Sequence, residues 1–182
     1  MRQTLWLGTT LVLFATMLGL LAWPDLRDLS HQREWNIVRA DAAEGELAGL
    51  RVGVREARAA VVDSRPDRAL LHVRLELQGM TEAAKSWVDC RASLRGEGGE
   101  TWLPLHDYRI RDAIKILAPD GKDNGDCNTL AVPEAGSAAF DQIYRLPASA
   151  LDNLTLHVSG SGTRPAALAF KIRPTVRTFK PE

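Results

Sequence analysis

The chain has 182 residues, of which 23 are basic and 23 are acidic, so its formal net charge is zero. A balanced charge gives no net field to attract nucleic acid, and nucleic acid is therefore not an expected partner. An apolar stretch occupies the N-terminus, and the roughly 160 residues that remain are enough for one domain with a core of its own.

The segment from Leu5 to Trp23, LWLGTTLVLFATMLGLLAW, contains no charged residue. As a helix it would be roughly 28 Å long, close to the ~30 Å apolar thickness of a bilayer. Trp6 and Trp23 lie near its ends, where indole rings prefer the head-group level. We predict a transmembrane anchor over residues 5–23 after a short cytoplasmic end, residues 1–4. A cleaved signal, whose A-x-A exit is missing here, and a buried core helix are the alternatives.

Residues 24–45 are charged and mixed, which predicts a juxtamembrane linker. An interfacial amphipathic helix that contacts a partner is the alternative. Positive charge does not settle the orientation, because Arg2 and the amino terminus on one side compete with Arg27, Arg33 and Arg39 on the other. The paired cysteines and the strand-rich remainder indicate that residues 24–182 lie outside the cytoplasm.

From Leu47 onward the apolar residues recur with a period of two, which indicates strands that bury one face. In the clearest strand, one face is expected to be buried and the other solvated: Leu71, Val73, Leu75 and Leu77 against His72, Arg74, Glu76 and Gln78. The glycines of GEGG, residues 96–99, predict a hairpin turn. Residues 105–118 fit either a short helix or a strand, and residues 174–182 are expected to be a tail.

About seven short strands, separated by Gly and Pro, are typical of a two-sheet sandwich. We predict a mainly β protein: an Ig-like antiparallel β-sandwich over residues 46–173, preceded by one N-terminal transmembrane helix. The order of the anchor, the spacer, the strand HVRLELQG, the hairpin GEGGETW and the segment VPEAGSAAFDQIYRLP resembles a broad group of bacterial single-pass membrane proteins with a small Ig-like extracytoplasmic domain. The resemblance implies a fold and a location, and it assigns no catalytic residue.

Cys90 and Cys127 are the only cysteines. In an exported domain, an even pair predicts a disulfide. Closing a loop of about 37 residues would contribute roughly 3.5–4 kcal/mol in the chain-entropy model. The bond would fix the Asp-rich loop of residues 118–128 to a strand, and Trp87 would lie against it. Two buried thiols, or a nucleophilic or metal-binding cysteine, are the alternatives.

The same loop carries oxygen ligands of the kind that calcium prefers: Asp120, Asp123, Asn124 and Asp126. The spacing does not fit an EF-hand, because counting from Asp120 the third position is Lys122 and the twelfth is Ala131. A solvated turn is therefore predicted, with weak cation binding as the alternative, and no metal or cofactor site is expected.

The four histidines, His31, His72, His106 and His157, are not spaced as metal ligands, and no H-E-x-x-H or G-x-S-x-G motif is present. His106 and Asp107 are the only adjacent acid and base. Neighbours on a strand point apart, so an exposed polar pair is expected, with a catalytic role as the alternative.

These observations favour a non-enzymatic, membrane-anchored extracytoplasmic module that binds within an envelope complex, held in a bacterial inner membrane. The expected partners are another envelope or membrane protein and, through residues 5–23, the lipid bilayer. The contact surface is expected on the face of His72, Arg74 and Glu76 or in the tail around Phe179, which could add a strand to a partner's sheet. The alternatives are an envelope hydrolase with an unrecognised active site, and a secreted sandwich if the helix is cleaved.

Overall fold

A computed structural model of the protein describes residues 2–40, 43–80, 83, 85–127 and 135–179. Its helices and strands are, in chain order, α1 (Arg2–Gln32), β1 (Asn36–Arg39), β2 (Glu44–Leu47), β3 (Leu50–Val62), β4 (Arg65–Met80), β5 (Arg91–Arg95), β6 (Thr101–Trp102), α2 (Tyr108–Leu117), β7 (Ala135–Pro147), β8 (Leu154–Ser159), β9 (Ala166–Ile172) and β10 (Thr175–Phe179). Short 3-10 turns cover Lys85–Trp87 and Ala148–Ala150.

The strands form two sheets that stack as a sandwich. Sheet I has the order β1-β9-β8-β5-β6, and sheet II has the order β10-β3-β4-β7 with β2 also paired to β3. The predicted mainly β sandwich is confirmed. It is not wholly antiparallel, because β1 runs parallel to β9 and β10 runs parallel to β3. The immunoglobulin-like topology stays a prediction.

The core lies between the two sheets and is filled by alternate residues of their strands. The four leucine and valine positions predicted to face inward on β4 are at most 2 % exposed. Tyr144 of β7 joins the layers, since its buried hydroxyl donates to the carbonyl of Ala92 on β5 at 3.3 Å. The largest fully buried side chains include Tyr144, Phe140, Phe170, Leu50, Leu71, Leu75, Leu94 and Leu156.

A third layer covers part of the outer face of sheet II. Residues 105–118, which fit a helix or a strand by sequence, contain helix α2. Ile114 and Leu117 of this helix bury themselves against Ile143 of β7. The expected solvated face of β4 is therefore covered: His72 is fully buried, and the side chains of Arg74 and Glu76 are only 11 % and 19 % exposed.

The strands extend beyond the predicted domain boundaries of residues 46–173. Strand β1 and the first two residues of β2 lie in the segment 24–45, which is predicted to be a linker, and β10 lies in the predicted tail. β1 and β10 gain their hydrogen bonds from strands more than 100 residues away, so the local sequence pattern gives little sign of them, whereas β2 forms a short hairpin with the next strand, β3. Residues 180–182 of the tail lie outside the described residues, and so does Met1 of the predicted cytoplasmic end.

Helix α1 includes the whole apolar stretch 5–23 and continues past Pro24 into the predicted linker. Among the helix residues that the structure describes, no segment is both long and apolar enough to cross a membrane, so the predicted transmembrane anchor is not supported. The helix nonetheless exposes large apolar side chains all round it, each 51–73 % exposed: Trp6, Leu11, Val12, Leu13, Phe14, Met17, Leu18, Leu20, Leu21 and Trp23.

Candidate functional site

The part of sheet II that α2 leaves uncovered forms an open groove, which we call the arginine groove. It consists of two adjoining cavities of about 650 and 480 Å³ that share Arg68 and Arg145. Its walls come from β4, β7, the 3-10 turn Ala148–Ala150 and strand β6 of sheet I. The remaining residues that line it are Ala60, Val62, Ser64, Arg65, Pro66, Asp67, Ala69, Leu70, Trp102, Leu146, Pro147, Ala148 and Ser149.

Strand register explains why the two shared arginines lie together. Arg68 is opposite Pro147 and Leu70 is opposite Arg145 in the β4–β7 pair. Arg68 and Arg145 are therefore diagonal neighbours on one face, whose Cα atoms lie roughly 7–8 Å apart in such a pair. Arg65 follows the turn between β3 and β4 and brings a third guanidinium to the same end of the sheet.

The groove is cationic although the chain as a whole is neutral. Its lining has three arginines against one acidic residue, Asp67. Asp67 lies 3.4 Å from Arg68, but both side chains are more than 60 % exposed, and such a pair gives little stabilisation. Neither Arg65 nor Arg145 has an ion-pair partner within the described part of the chain. Two guanidinium groups are therefore left for a ligand.

The floor of the groove is apolar. Ala60, Val62 and Leu70 supply it, and Val62 is 38 % exposed. Trp102 and Pro147 form part of the wall and offer flat surfaces for stacking. No histidine, cysteine or glutamate is among the described residues that line the groove. The lining suits the binding of an anionic, partly apolar ligand.

The covered part of the same face holds a buried polar network around Asp141. The His72 Nε2–H donates to Asp141 Oδ1 at 2.7 Å, and Arg74 donates from Nε to Oδ1 at 2.8 Å and from Nη2 to Oδ2 at 3.1 Å. The backbone N–H and the side-chain amide of Asn124 both donate to Oδ2 at 2.8 Å. The Asp141 and His72 side chains are fully buried, so no substrate reaches this acid–base pair.

The environment of Asp141 keeps it ionised despite burial. Burial alone would raise the pKa of its carboxyl, but hydrogen bonds from His72, Arg74 and the Asn124 backbone outweigh that effect and hold the pKa well below its usual range. The same contact raises the pKa of the Arg74 guanidinium, chiefly through its hydrogen bond to Asp141. The network is a set of buried, charged hydrogen bonds with a structural role.

The Asp141 network holds the Asp-rich loop against sheet II. Besides Asn124, the loop accepts a hydrogen bond from Arg74 Nη2 at the carbonyl of Lys122, 2.8 Å away, and Asp120 pairs with Arg74 Nη1 at 3.0 Å. Asp123 makes a two-pronged pair with Arg111 of α2. Two of the candidate calcium ligands, Asp120 and Asp123, therefore pair with arginines, and the described residues contain no cluster of three or more metal-binding side chains.

The predicted disulfide is confirmed and anchors the other end of the loop. Cys90 and Cys127 are bonded, with their Cα atoms 5.6 Å apart. Both sulfurs are buried in the same core cluster as Trp87, whose indole N–H donates to the carbonyl of Leu47 at 3.3 Å. The loop before Cys127 is thus held by a covalent bond and by the Asp141 network.

The adjacent acid and base noted in the sequence, His106 and Asp107, are both exposed at the surface. His106 is 58 % exposed, and its Nδ1 atom lies 3.7 Å from Asp126. Sequence reasoning missed the Asp141 network, because His72 and Arg74 occupy the polar side of a clean alternation. Two features of the sequence indicate that this face of sheet II is covered. The apolar residues Leu70 and Ile143 lie on the same face as His72, and the isoleucines of α2 need an apolar surface to pack against.

The sequence matches no protein-family model and no curated protein. Among solved structures it is similar to a candidate lipoprotein from Staphylococcus aureus, with 9 % identity and a TM-score of 0.48 over 75 % of this chain and 94 % of that one. It is also similar to an uncharacterised β-sandwich protein from Clostridium difficile, with 6 % identity and a TM-score of 0.46 over 78 % and 97 % of the two chains.

A candidate lipoprotein from Bacillus subtilis is similar at 10 % identity and a TM-score of 0.42; the match covers 74 % of this chain but only 39 % of that chain. At these identities the likeness concerns the course of the backbone and says nothing about ligands.

Proposed function

We propose that this protein is an extracytoplasmic accessory module of the cell envelope, and that it acts by binding a segment of another envelope protein in the arginine groove. The observation that carries this proposal is a groove in which Arg65 and Arg145, which have no ion-pair partner among the described residues, rim an apolar floor. A guanidinium group presents a rigid fork that suits carboxylates, so the fitting partner is an acidic segment with apolar residues between its acids.

The compartment follows from the disulfide. A buried bond between the only two cysteines is typical of proteins that fold in an oxidising environment, outside the cytoplasm. We place residues 33–179 there.

The exposed apolar residues of α1 support attachment to a membrane. An apolar helix that exposes large side chains on every side needs an apolar surrounding, and Trp6 and Trp23 near the ends of its apolar stretch suit the head-group level of a bilayer. We infer that α1 holds the domain at the membrane. The helix enters the domain through β1, which starts beside Ala166 of sheet I.

The groove is at the other end of the sheets. Trp102 of the groove pairs with Leu94 of β5. The start of β1 lies in the row of Cys90, four residues earlier on β5, so the two rows are roughly 13 Å apart along the strand. The groove therefore lies at the end of the sheets opposite to the start of β1, where a partner in the envelope space would reach it.

A binding function agrees better than catalysis with the chemistry of the site. The buried pair His72 and Asp141 is sealed from solvent, and Asp67, the acidic residue among the described lining residues of the groove, pairs with Arg68 rather than with a nucleophile. We therefore propose a non-enzymatic role that needs no cofactor.

Affinity purification after gentle detergent extraction tests the binding role, with the protein at its native level. We expect a stoichiometric partner with the native chain, and its loss in an Arg65→Glu/Arg145→Glu variant. Arg51→Glu, an exposed arginine of the same sheet, is the matched control and should keep the partner. Equal recovery with both variants would reject the groove. A partnerless monomer that turns over an envelope substrate would favour a hydrolase instead.

Two further experiments test the location. Protease added to spheroplasts should digest the domain, and full protection until lysis would contradict the assignment. Alkaline extraction should leave the protein in the membrane fraction; release into the supernatant, with an amino terminus beyond residue 23, would show a cleaved signal.

A further inference from the structure

The outer face of sheet I carries a second cationic pocket, separate from the arginine groove. This pocket has a volume of about 550 Å³, and its lining comes from the neighbouring strands β1, β9 and β8 with the residue that follows β1: Ile37, Arg39, Ala40, Thr155, His157, Ala169 and Lys171. We call it the sheet I pocket. Its charged residues come from three strands and were not singled out as a group by any sequence motif.

Strand register builds the pocket. Arg39 is opposite Ala169, and Ala169 is opposite His157, so these three residues form one row across the sheet. Lys171 and Thr155 form the next row. Arg39 and His157 are two strand spacings apart, roughly 10 Å, and the methyl group of Ala169 between them leaves the space above the sheet open. Long cationic side chains from both sides can converge on an ion in that space.

The charges around the pocket are unbalanced. Arg39 and Lys171 are exposed and have no ion-pair partner among the residues that the structure describes. Arg95 of β5 lies on the far side of His157, and Arg91 lies further along the same strand. Glu34, which precedes β1, is the acidic residue that interacts with His157 within the described part of the chain, and it accepts a hydrogen bond from the Ser159 hydroxyl at 2.5 Å.

His157 is half-buried, and within the described chain its Nδ1 atom is buried with no hydrogen-bond partner. Burial first, and then the charge of Arg95, lower the pKa of His157, and Glu34 opposes them only in part. In the free pocket these effects favour the neutral imidazole. An anion placed beside the ring would supply the missing counter-charge and favour the imidazolium form.

We propose that the sheet I pocket binds a phosphate- or sulfate-type oxyanion between Arg39, Lys171 and His157, and that binding strengthens as the pH falls because His157 takes up a proton in the complex. A tetrahedral oxyanion offers acceptors in several directions, which matches donors that arrive from three strands. The same phosphoryl chemistry occurs in free phosphate and in the phosphodiester of a lipid head group. This pocket does not depend on the arginine groove, so either proposal can fail alone.

Titration calorimetry of the full chain in zwitterionic detergent micelles tests the proposal. Sulfate is the probe for the pH series, because its charge stays constant from pH 5 to pH 8. We expect saturable binding that is about tenfold tighter at pH 5 than at pH 8, the effect of one added charge. Arg39→Ala and Lys171→Ala should each weaken binding about tenfold, whereas Lys122→Ala, an exposed lysine on the other side of the molecule, should not.

His157→Gln separates the role of the proton from that of shape. Glutamine keeps a neutral hydrogen-bond donor, so this variant should bind sulfate at pH 8 like the native chain and lose the strengthening at pH 5. The His157 ring signal in NMR should shift to a higher titration midpoint when sulfate is added. Inorganic phosphate and glycerophosphoglycerol, the soluble head group of phosphatidylglycerol, are compared as ligands. Tighter binding of inorganic phosphate indicates free phosphate as the source, and tighter binding of glycerophosphoglycerol indicates a lipid head group.

The proposal is overturned if the native chain shows no saturable binding of sulfate at ionic strengths up to about 0.15 M, where exposed charges are already screened. It is also overturned if Lys171→Ala and Lys122→Ala bind alike, or if the native chain and His157→Gln share one pH profile.

Discussion

Replacing Asp141 by asparagine should destabilise the domain severely, although the two side chains have nearly the same shape. The carboxylate accepts hydrogen bonds from His72, Arg74 and Asn124 at both of its oxygens. Asparagine keeps only one acceptor oxygen, and its NH₂ group replaces the other oxygen and faces hydrogen-bond donors of the network. Whichever way it faces, at least two bonds are lost, and each unsatisfied buried donor costs about 1–3 kcal/mol. A loss of about 4 kcal/mol is expected, in the range for a broken buried ion pair.

Urea unfolding of the oxidised protein measures this loss. With a slope near 2 kcal/mol per M, the midpoint should fall by roughly 2 M while the slope stays unchanged. Asp67→Asn is the matched control: the same substitution breaks the exposed pair with Arg68, and it should cost less than about 1 kcal/mol. If Asp141→Asn also costs less than about 1 kcal/mol, the buried network does not hold the fold as described.

The pH dependence has a definite sign. The native state lowers the pKa of Asp141, so its contribution is complete above the ordinary pKa of an aspartate, about 3.9, and is lost as the pH falls through the native value. Asp141→Asn should therefore lose less stability than the native chain between pH 5 and pH 2. A parallel loss in both proteins would contradict the assignment.

Three further predictions concern other parts of the domain. Cys90→Ser should lower the free energy of unfolding by about 2–5 kcal/mol, and unreduced native protein should show no reactive thiol after denaturation; two labelled thiols would contradict the bond. Gly160→Ala should lower the melting temperature, because a Cβ there would lie 2.4 Å from the backbone of Ser86 and Trp87; an unchanged melting temperature would show that this contact is looser. The native chain should lose stability relative to His157→Gln as the pH falls from 8 to 5, since folding disfavours the imidazolium; a constant difference in unfolding free energy would reject the buried position of the ring.

The sheets were predictable where one strand shows its pattern locally. The alternation of Leu71, Val73, Leu75 and Leu77 identifies the buried face of β4, and the glycines at 96–99 identify the β5–β6 hairpin. The disulfide followed from the presence of only two cysteines. Each of these features depends on a short stretch of sequence or on a count.

The features that were missed depend on contacts between distant residues. β10 pairs in parallel with β3, more than 100 residues earlier, and its own sequence does not differ from that of a frayed tail. His72 has the pattern of a solvated residue because it alternates with the core residues of β4, and the one sign of a cover within that strand is the apolar Leu70 on the same face. The arginine groove joins residues from β4, β6 and β7, so it exists only after the sheets have formed.

Site-specific photo-crosslinking in living cells tests the central claim, binding in the arginine groove, most directly. A photoreactive amino acid is placed at Ser149, an exposed position that lines the groove, and in a second strain at Arg51, which is exposed on the same sheet outside it. We predict one discrete adduct of higher mass from position 149 that contains an envelope protein with an acidic segment, and none from position 51. No adduct from position 149, or equal adducts from both positions, would contradict the proposed binding function.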